Sequence, residues 1–390
     1  MRLGIVRLVE RGLQLHFRVG TTIARRAAGA VLVAAALSLV PLRAGAAQFH
    51  PMLKVVKTHR GVGGIAMDGP LVAFDVSSSS KMRCNRMFAW NVKTGARKLV
   101  SGKGTCEAQS TSTGAGVVET AVAGRRIAWI VNLGGNTESE DYLYRSSWGK
   151  PKERRVATAT RSGDDPSSLA GGWIRGLVGS DSVLAVNRWT TAANGHVTSA
   201  SLRRIAGRGL RTIASGPDTR VAVVADSGRI AVLRSGGIVA LYSQNGDLLR
   251  RITPSMPRAV GLSKKSLVVL TKANTLEVYR TSTGSLLHTW PVKGRWGPRR
   301  RVDPDLDVHK GVAVYSTWHS VHAVRLSSGR DVVLRRIGRD TKKRRRLVAG
   351  VEIEAPGVVY AFDTFHIRPP FETTGQVVFM PMAKVLARVR

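Results

Sequence analysis

From residue 64 onward, short apolar runs alternate with turns bearing glycine, aspartate or lysine, and one two-part phrase keeps returning. "EVYRTSTGSLLHTW" (277–290) is typical: one extended run closes on Val278-Tyr279, Ser282-Thr283-Gly284 turns the chain, and a second run leaves to Trp290. Comparable stretches lie at 89–100, 142–156, 201–213, 240–252 and 323–337, and "VVFMPMAKVLARV" (377–389) completes the set without a glycine. An apolar run, a short turn and a second run with β-branched or leucine positions is the signature of a β-hairpin. Each of these is preceded by another hairpin, at 64–76, 120–131, 176–189, 222–235, 259–271, 306–317 and 350–363. Four strands therefore recur seven times at a period of roughly 49 residues, the range of a propeller blade.

No segment past the amino-terminal region sustains a 3.6-residue period over twelve positions, so no helix is expected. Two tandem β-sandwiches are the structural rival, but they would not require the same four-strand order to recur seven times. The pattern predicts an all-β fold, a seven-bladed β-propeller of four-stranded antiparallel blades over residues 48–390. Trp90, Trp129, Trp189 and Trp290 fall within strands or at their ends, where inter-blade packing is the expected role.

The outer hairpins "STGSLLHTW" and "QNGDLLRRI" resemble those of the broad WD40-like and YVTN or quinoprotein-like propellers, over residues 60 to 390. The resemblance implies a ring-shaped scaffold and carries no activity across. No Gly-His and Trp-Asp pair marks each blade, and the tryptophan-docking positions of the quinone enzymes do not recur.

The amino terminus is a different kind of segment. Arg25-Arg26 precede an uncharged run from Ala27 to Val40 and a small-residue site at Ala44-Gly45-Ala46. Basic, apolar and small-residue regions in that order are read as a secretory signal peptide, cleaved near Ala46 or Ala47. The run is short for a membrane span, which needs roughly 20 residues. Residues 1–47 are set apart as a leader on the general secretory route, with twin-arginine export the minor alternative. A secreted or envelope location follows. Two cysteines in an exported chain point to one disulfide, Cys84 to Cys106.

Charge adds a partner class. The chain carries 61 basic and 25 acidic residues, and removing the leader leaves a net charge of +30. Such an excess favours polyanions, or disperses over a solvated surface. Clustering separates the two. Because b–c and d–a loops share one face of a propeller, Arg299, Arg300 and Arg301 share a face with Lys342, Lys343, Arg344, Arg345 and Arg346. Trp296, Trp318, His319, Phe365 and His366 are the aromatic contacts expected beside them, rings for stacking next to charge for attraction.

Catalytic signals are sparse. "TESED" and "DDP" lie in loops and no G-x-S-x-G context appears. "DPDLD" (303–307) begins like a calcium loop, but Val308 replaces the required glycine. His309, His319, His322 and His366 share no ligand spacing. No catalytic residue, cofactor or metal is assigned. The expected protein is a monomeric, non-enzymatic binding module engaging an anionic envelope polymer or a protein partner. No specific nucleic acid and no transmembrane span are expected. The alternative is a propeller enzyme acting on glycan or a quinone-dependent substrate. Carboxylates concentrated in the channel would favour it.

Overall fold

The computed structural model describes residues 53–390 except 78–83, 111–114, 136, 165–167, 217–221, 235, 295, 297–303 and 369–371. The leader expected over 1–47 lies outside the described residues, as do Arg299, Arg300 and Arg301.

The order begins with β1 (Lys54–Thr58), followed by β2 (Ile65–Asp68), β3 (Leu71–Val76), β4 (Arg86–Asn91) and β5 (Arg97–Leu99). Helix α1 (Lys103–Ser110) leads into β6 (Gly116–Ala123), β7 (Arg126–Leu133), β8 (Glu138–Ser147) and β9 (Arg154–Ser162). Next are β10 (Ala170–Ser180), β11 (Val183–Thr191), β12 (Val197–Ala206) and β13 (Gly209–Ser215). Then come β14 (Ala222–Asp226), β15 (Arg229–Leu233), β16 (Val239–Ser243), β17 (Leu248–Ile252), β18 (Pro257–Leu262), β19 (Ser266–Thr271), β20 (Thr275–Arg280) and β21 (Leu286–Pro291). The last are β22 (Leu306–His309), β23 (Val312–Ser316), β24 (Ser320–Arg325), β25 (Arg330–Arg336), β26 (Arg344–Glu354), β27 (Gly357–His366), β28 (Thr373–Pro381) and α2 (Met382–Val389).

The strands pair antiparallel into five four-stranded sheets and one of eight. β2, β6, β10, β14, β18, β22 and β26 are innermost; each touches the next, and β26 returns to β2. The molecule is an all-β propeller. The expectation of seven separate four-stranded blades needs correcting at the eight-stranded sheet, β6 to β13. There β9 and β10 pair only through Ala170 with Ser162 and Gly171 with Arg161. The two halves of that sheet also pack face to face, Ala121, Ile130 and Leu143 against Ile174, Leu184 and Val186.

Elsewhere the core lies between neighbouring sheets. Trp129, fully buried, packs with Met87 and Ala89 of the preceding sheet, and Trp290 packs with Leu326 and Tyr315 of the following one. Burial of these apolar faces contributes roughly 25 cal/mol per Å² removed from water. Turn chemistry sets the register: Gly246 has φ +103°, and a Cβ there would lie 2.3 Å from the Ile213 carbonyl oxygen. No L side chain fits that position.

Three elements depart from the pattern reading. Residues 382–389 form a helix, not a strand: Met382, Val385, Leu386 and Val389 recur at helical spacing, and Val385 and Val389 are buried beside Leu334. The outer strand of the last sheet comes instead from the other end of the domain. β1 pairs with β28, Lys54 opposite Phe379 and Thr58 opposite Gly375, which closes the ring. Of β1 only Val56 is buried, so the strand carries no apolar alternation to detect. The third departure is α1, which carries Cys106 to Cys84 across a Cα separation of 5.0 Å. The disulfide is formed, between a β3–β4 loop residue and the segment joining β5 to β6. Gln109 of α1 caps it by accepting from the Asn85 amide at 2.7 Å and donating to the Thr105 carbonyl at 2.9 Å.

Candidate functional site

The loop before β26 is held as a tight turn. The Thr341 amide donates to the Arg344 carbonyl at 2.8 Å, and Thr341 Oγ1 accepts from the Lys343 and Arg344 amides. Asp340 Oδ1 accepts the Arg346 amide at 2.9 Å. Lys342, Lys343, Arg344 and Arg345 are exposed and Arg346 is half-buried. Arg344, Arg345 and Arg346 are not loop residues, as expected, but the start of β26. Likewise Phe365 and His366 end β27 rather than lying in the next loop. The two extensions pair, placing Arg344 opposite His366 and Arg345 opposite Phe365.

The β23–β24 loop joins this corner. The Val348 amide of β26 donates to the Trp318 carbonyl at 3.1 Å, and His319 Nε2 lies 3.8 Å from Asp340 Oδ1. Trp318, His319, Phe365 and His366 therefore gather with Lys342 to Arg346. Trp296 does not take part as an exposed ring. Its indole donates to the Ser316 carbonyl at 3.0 Å and its ring packs 5.5 Å from Tyr315, with Arg258 above it at 5.4 Å. The ring is half-buried in this packing.

Beneath the loops on this side, buried acids act as anchors. Asp331 in β25 accepts from Tyr315 Oη at 2.5 Å and from the Lys293 amide at 2.7 Å, and pairs with His322 Nδ1 at 3.0 Å. His322 Nε2 reaches Ser320 Oγ at 2.8 Å, so serine, histidine and aspartate stand in the order of a nucleophile, base and orienter. The surroundings are structural. Ser320 Oγ is also bonded to Thr317 Oγ1 at 2.7 Å, and the Lys293 and Gly294 amides that could form an oxyanion hole are spent on Asp331 and Tyr315. Burial raises the Asp331 pKa, but hydrogen bonds from His322, Tyr315 and Lys293 outweigh it and hold the group below the ordinary carboxylate value.

The channel between the inner strands has a volume of about 310 Å³ and is lined in part by Thr120, Arg258, Asp305, Asp307 and Glu352. Sequence reading did not anticipate its acidity, because the contributing residues lie on strands far apart in the chain. Burial raises the pKa of Asp307 and pushes Glu352 well up, and each is hydrogen-bonded to the other. Glu354 is pushed up to about 9 by burial and by Asp307, Asp68 and Asp226. Burial also raises Asp68 and Asp226, with Asp181 adding to both. Glu354 therefore holds its proton at neutral pH. Among the described residues no group of His, Cys, Asp or Glu has metal-binding geometry, and no helix is long and apolar enough to cross a membrane.

No protein-family model matches the chain. No curated protein matches it either. Solved structures do. The WD40 β-propeller domain of Doa1 is 11% identical with a TM-score of 0.48, over 85% of this chain and 97% of that one. The computationally designed Ika8 protein is 12% identical with a TM-score of 0.44, over 83% and 97%. Saccharomyces cerevisiae Sqt1 is 10% identical with a TM-score of 0.41, over 84% and 98%.

Proposed function

We propose that this chain is an exported, seven-bladed propeller, its eight-stranded sheet counting as two blades, that binds an anionic polymer of the cell envelope without transforming it. The observation that carries the reading is the corner at Lys342 to Arg346. Five consecutive cations stand there, four of them exposed, beside the paired Phe365 and His366 and the loop bearing Trp318 and His319. Each phosphate or sulfate engaged releases counterions, which gives the affinity its salt dependence. Export rests on the leader over 1–47 and fits the disulfide; intact-mass analysis of secreted protein beginning near residue 47 or 48 tests it.

The glycan-enzyme alternative draws on the channel acids. Glycoside hydrolysis needs carboxylates separated by about 5 Å or more, with substrate between them. Asp307 and Glu352 are bonded to each other instead, so the pair leaves no room for a reacting sugar.

The test is a salt titration of heparin and of polyphosphate binding. Replacing Lys342, Lys343, Arg344, Arg345 and Arg346 by serine is expected to weaken binding by about tenfold or more and to flatten the dependence on log salt. An unchanged affinity and slope would mean that the charge acts diffusely, and the corner would lose its role.

A further inference from the structure

On the opposite side of the ring, where β6 turns into β7 and β8 into β9, lies a second basic feature that no charge run announces. A cavity of about 330 Å³ opens there between the halves of the eight-stranded sheet, with Leu184 and Ile205 among its walls. Arg126, Arg145, Lys150, Lys152 and Arg154 all line it, and the lining contains no acid. We propose that this cavity is a binding site for a tetrahedral oxyanion, phosphate or sulfate, free or carried by a small molecule.

Several observations converge. None of the five cations forms an ion pair with a carboxylate among the described residues. The acid nearest in sequence, Glu153, is turned the other way, where it accepts the Gly102 and Thr105 amides of the α1 region at 2.8 and 3.0 Å. Arg126 Nη2 donates to the Ser182 carbonyl, and Arg145 lies close enough to Arg126 and Arg154 to repel both. Burial lowers the Arg126 pKa, and Arg204 and Arg145 lower it further, against Asp68, which favours its charge. Burial likewise lowers Arg145, with Arg154 and Arg208 adding to the effect.

Guanidinium groups match the oxygen spacing of phosphate and sulfate with paired donors. One divalent anion would offset the repulsion among the arginines.

The site is separate from the polymer-binding corner, and the experiment keeps the two apart. Purified protein, free of phosphate and sulfate, is titrated with inorganic phosphate, sulfate and glycerol 3-phosphate by calorimetry and thermal melting. Saturable binding with a raised melting temperature is expected. Arg145→Gln and Arg154→Gln should each weaken it by about tenfold, while the five-serine variant of residues 342–346 retains it. Arg154 is exposed, so its variant remains informative if Arg145→Gln folds poorly. Tighter binding of glycerol 3-phosphate than of phosphate identifies an ester ligand; equal binding identifies the free ion. No saturable binding, or affinity unchanged in both arginine variants, overturns the proposal and leaves the polymer reading untouched.

Discussion

Asp141 in β8 and Asp75 in β3 are both fully buried carboxylates, and their surroundings answer that burial in opposite ways. Asp141 sits among cations. Arg161 Nη1 lies 2.9 Å from it and Arg175 Nη1 2.5 Å, while the Asn132 side chain and the Ile174 amide complete its acceptor sites. Among the described residues the partners that favour the Asp75 carboxylate are amides. The Gly64 amide donates at 2.6 Å, Gly63 also donates, and Asn85 is more distant at 3.4 Å. Burial pushes Asp75 up to about 7, and burial pushes Asp363, which holds the Val62 amide, to the same value with Asp75 adding. Neutralising a buried charge with a partner fixes geometry, whereas holding it with amides alone leaves the proton as the remaining means of neutralisation.

The largest effect should come from Asp141→Ala. Arg161, with 2% of its side chain exposed, would keep a buried charge with no counterion. Removing one partner of such a pair costs about 3–5 kcal/mol, read as a lower midpoint in urea. A loss below about 1 kcal/mol would show that the three charges are poorly coupled. Arg161→Met in the Asp141→Leu background should recover part of the loss, because the uncompensated charge is then gone.

The second test is pH. Asp75 and Asp363 have folded-state pKa values above their unfolded ones, so their stabilising contribution is full below about pH 4 and is lost as pH rises through 7. Melting temperature should therefore increase from pH 8 to pH 5, with Asp75 contributing about 2 kcal/mol. Asp331 has the opposite sign, and its contribution disappears as pH falls below the ordinary carboxylate range. Asp75→Asn should raise the melting temperature at pH 8 and leave it nearly unchanged at pH 5. Equal shifts at both values would exclude ionisation as the cause.

Tyr315→Phe is the smallest of the three. It removes the hydroxyl that donates to Asp331 and accepts from Gly294, at a cost of about 1–2 kcal/mol by denaturant titration. His322 and Lys293 still hold Asp331, so the effect should stay well below that of Asp141→Ala.

The hairpins were legible because strands such as β19 and β23 are continuous apolar runs and the turns carry residues suited to them, as at Asp226-Ser227-Gly228. What escaped has physical causes. β1 offers a single buried side chain, Val56, so it becomes a strand only when β28 is there to pair with. α2 is eight residues long, shorter than the window in which a helical period declares itself. The site divides in the same way. Lys342 to Arg346 are contiguous and visible as a run, and so is their link to Phe365, once β26 and β27 are paired. The cavity beside Ser146 takes Arg126 from β7, Arg145 from β8 and Arg154 from β9. The channel pair Asp307 and Glu352 comes from β22 and β26, and the packing of two neighbouring sheets brings the two together.

That closure also sets an order of events. β1 is among the first strands a ribosome makes and β28 is the last, yet each is the other's neighbour. Until β28 appears, the final sheet lacks its central partner and β1 has nothing to pair with. The ring can therefore be completed only after synthesis reaches residue 381, although local hairpins can form earlier. Any chain threaded unfolded through a membrane would likewise close its ring only after residue 381 had crossed.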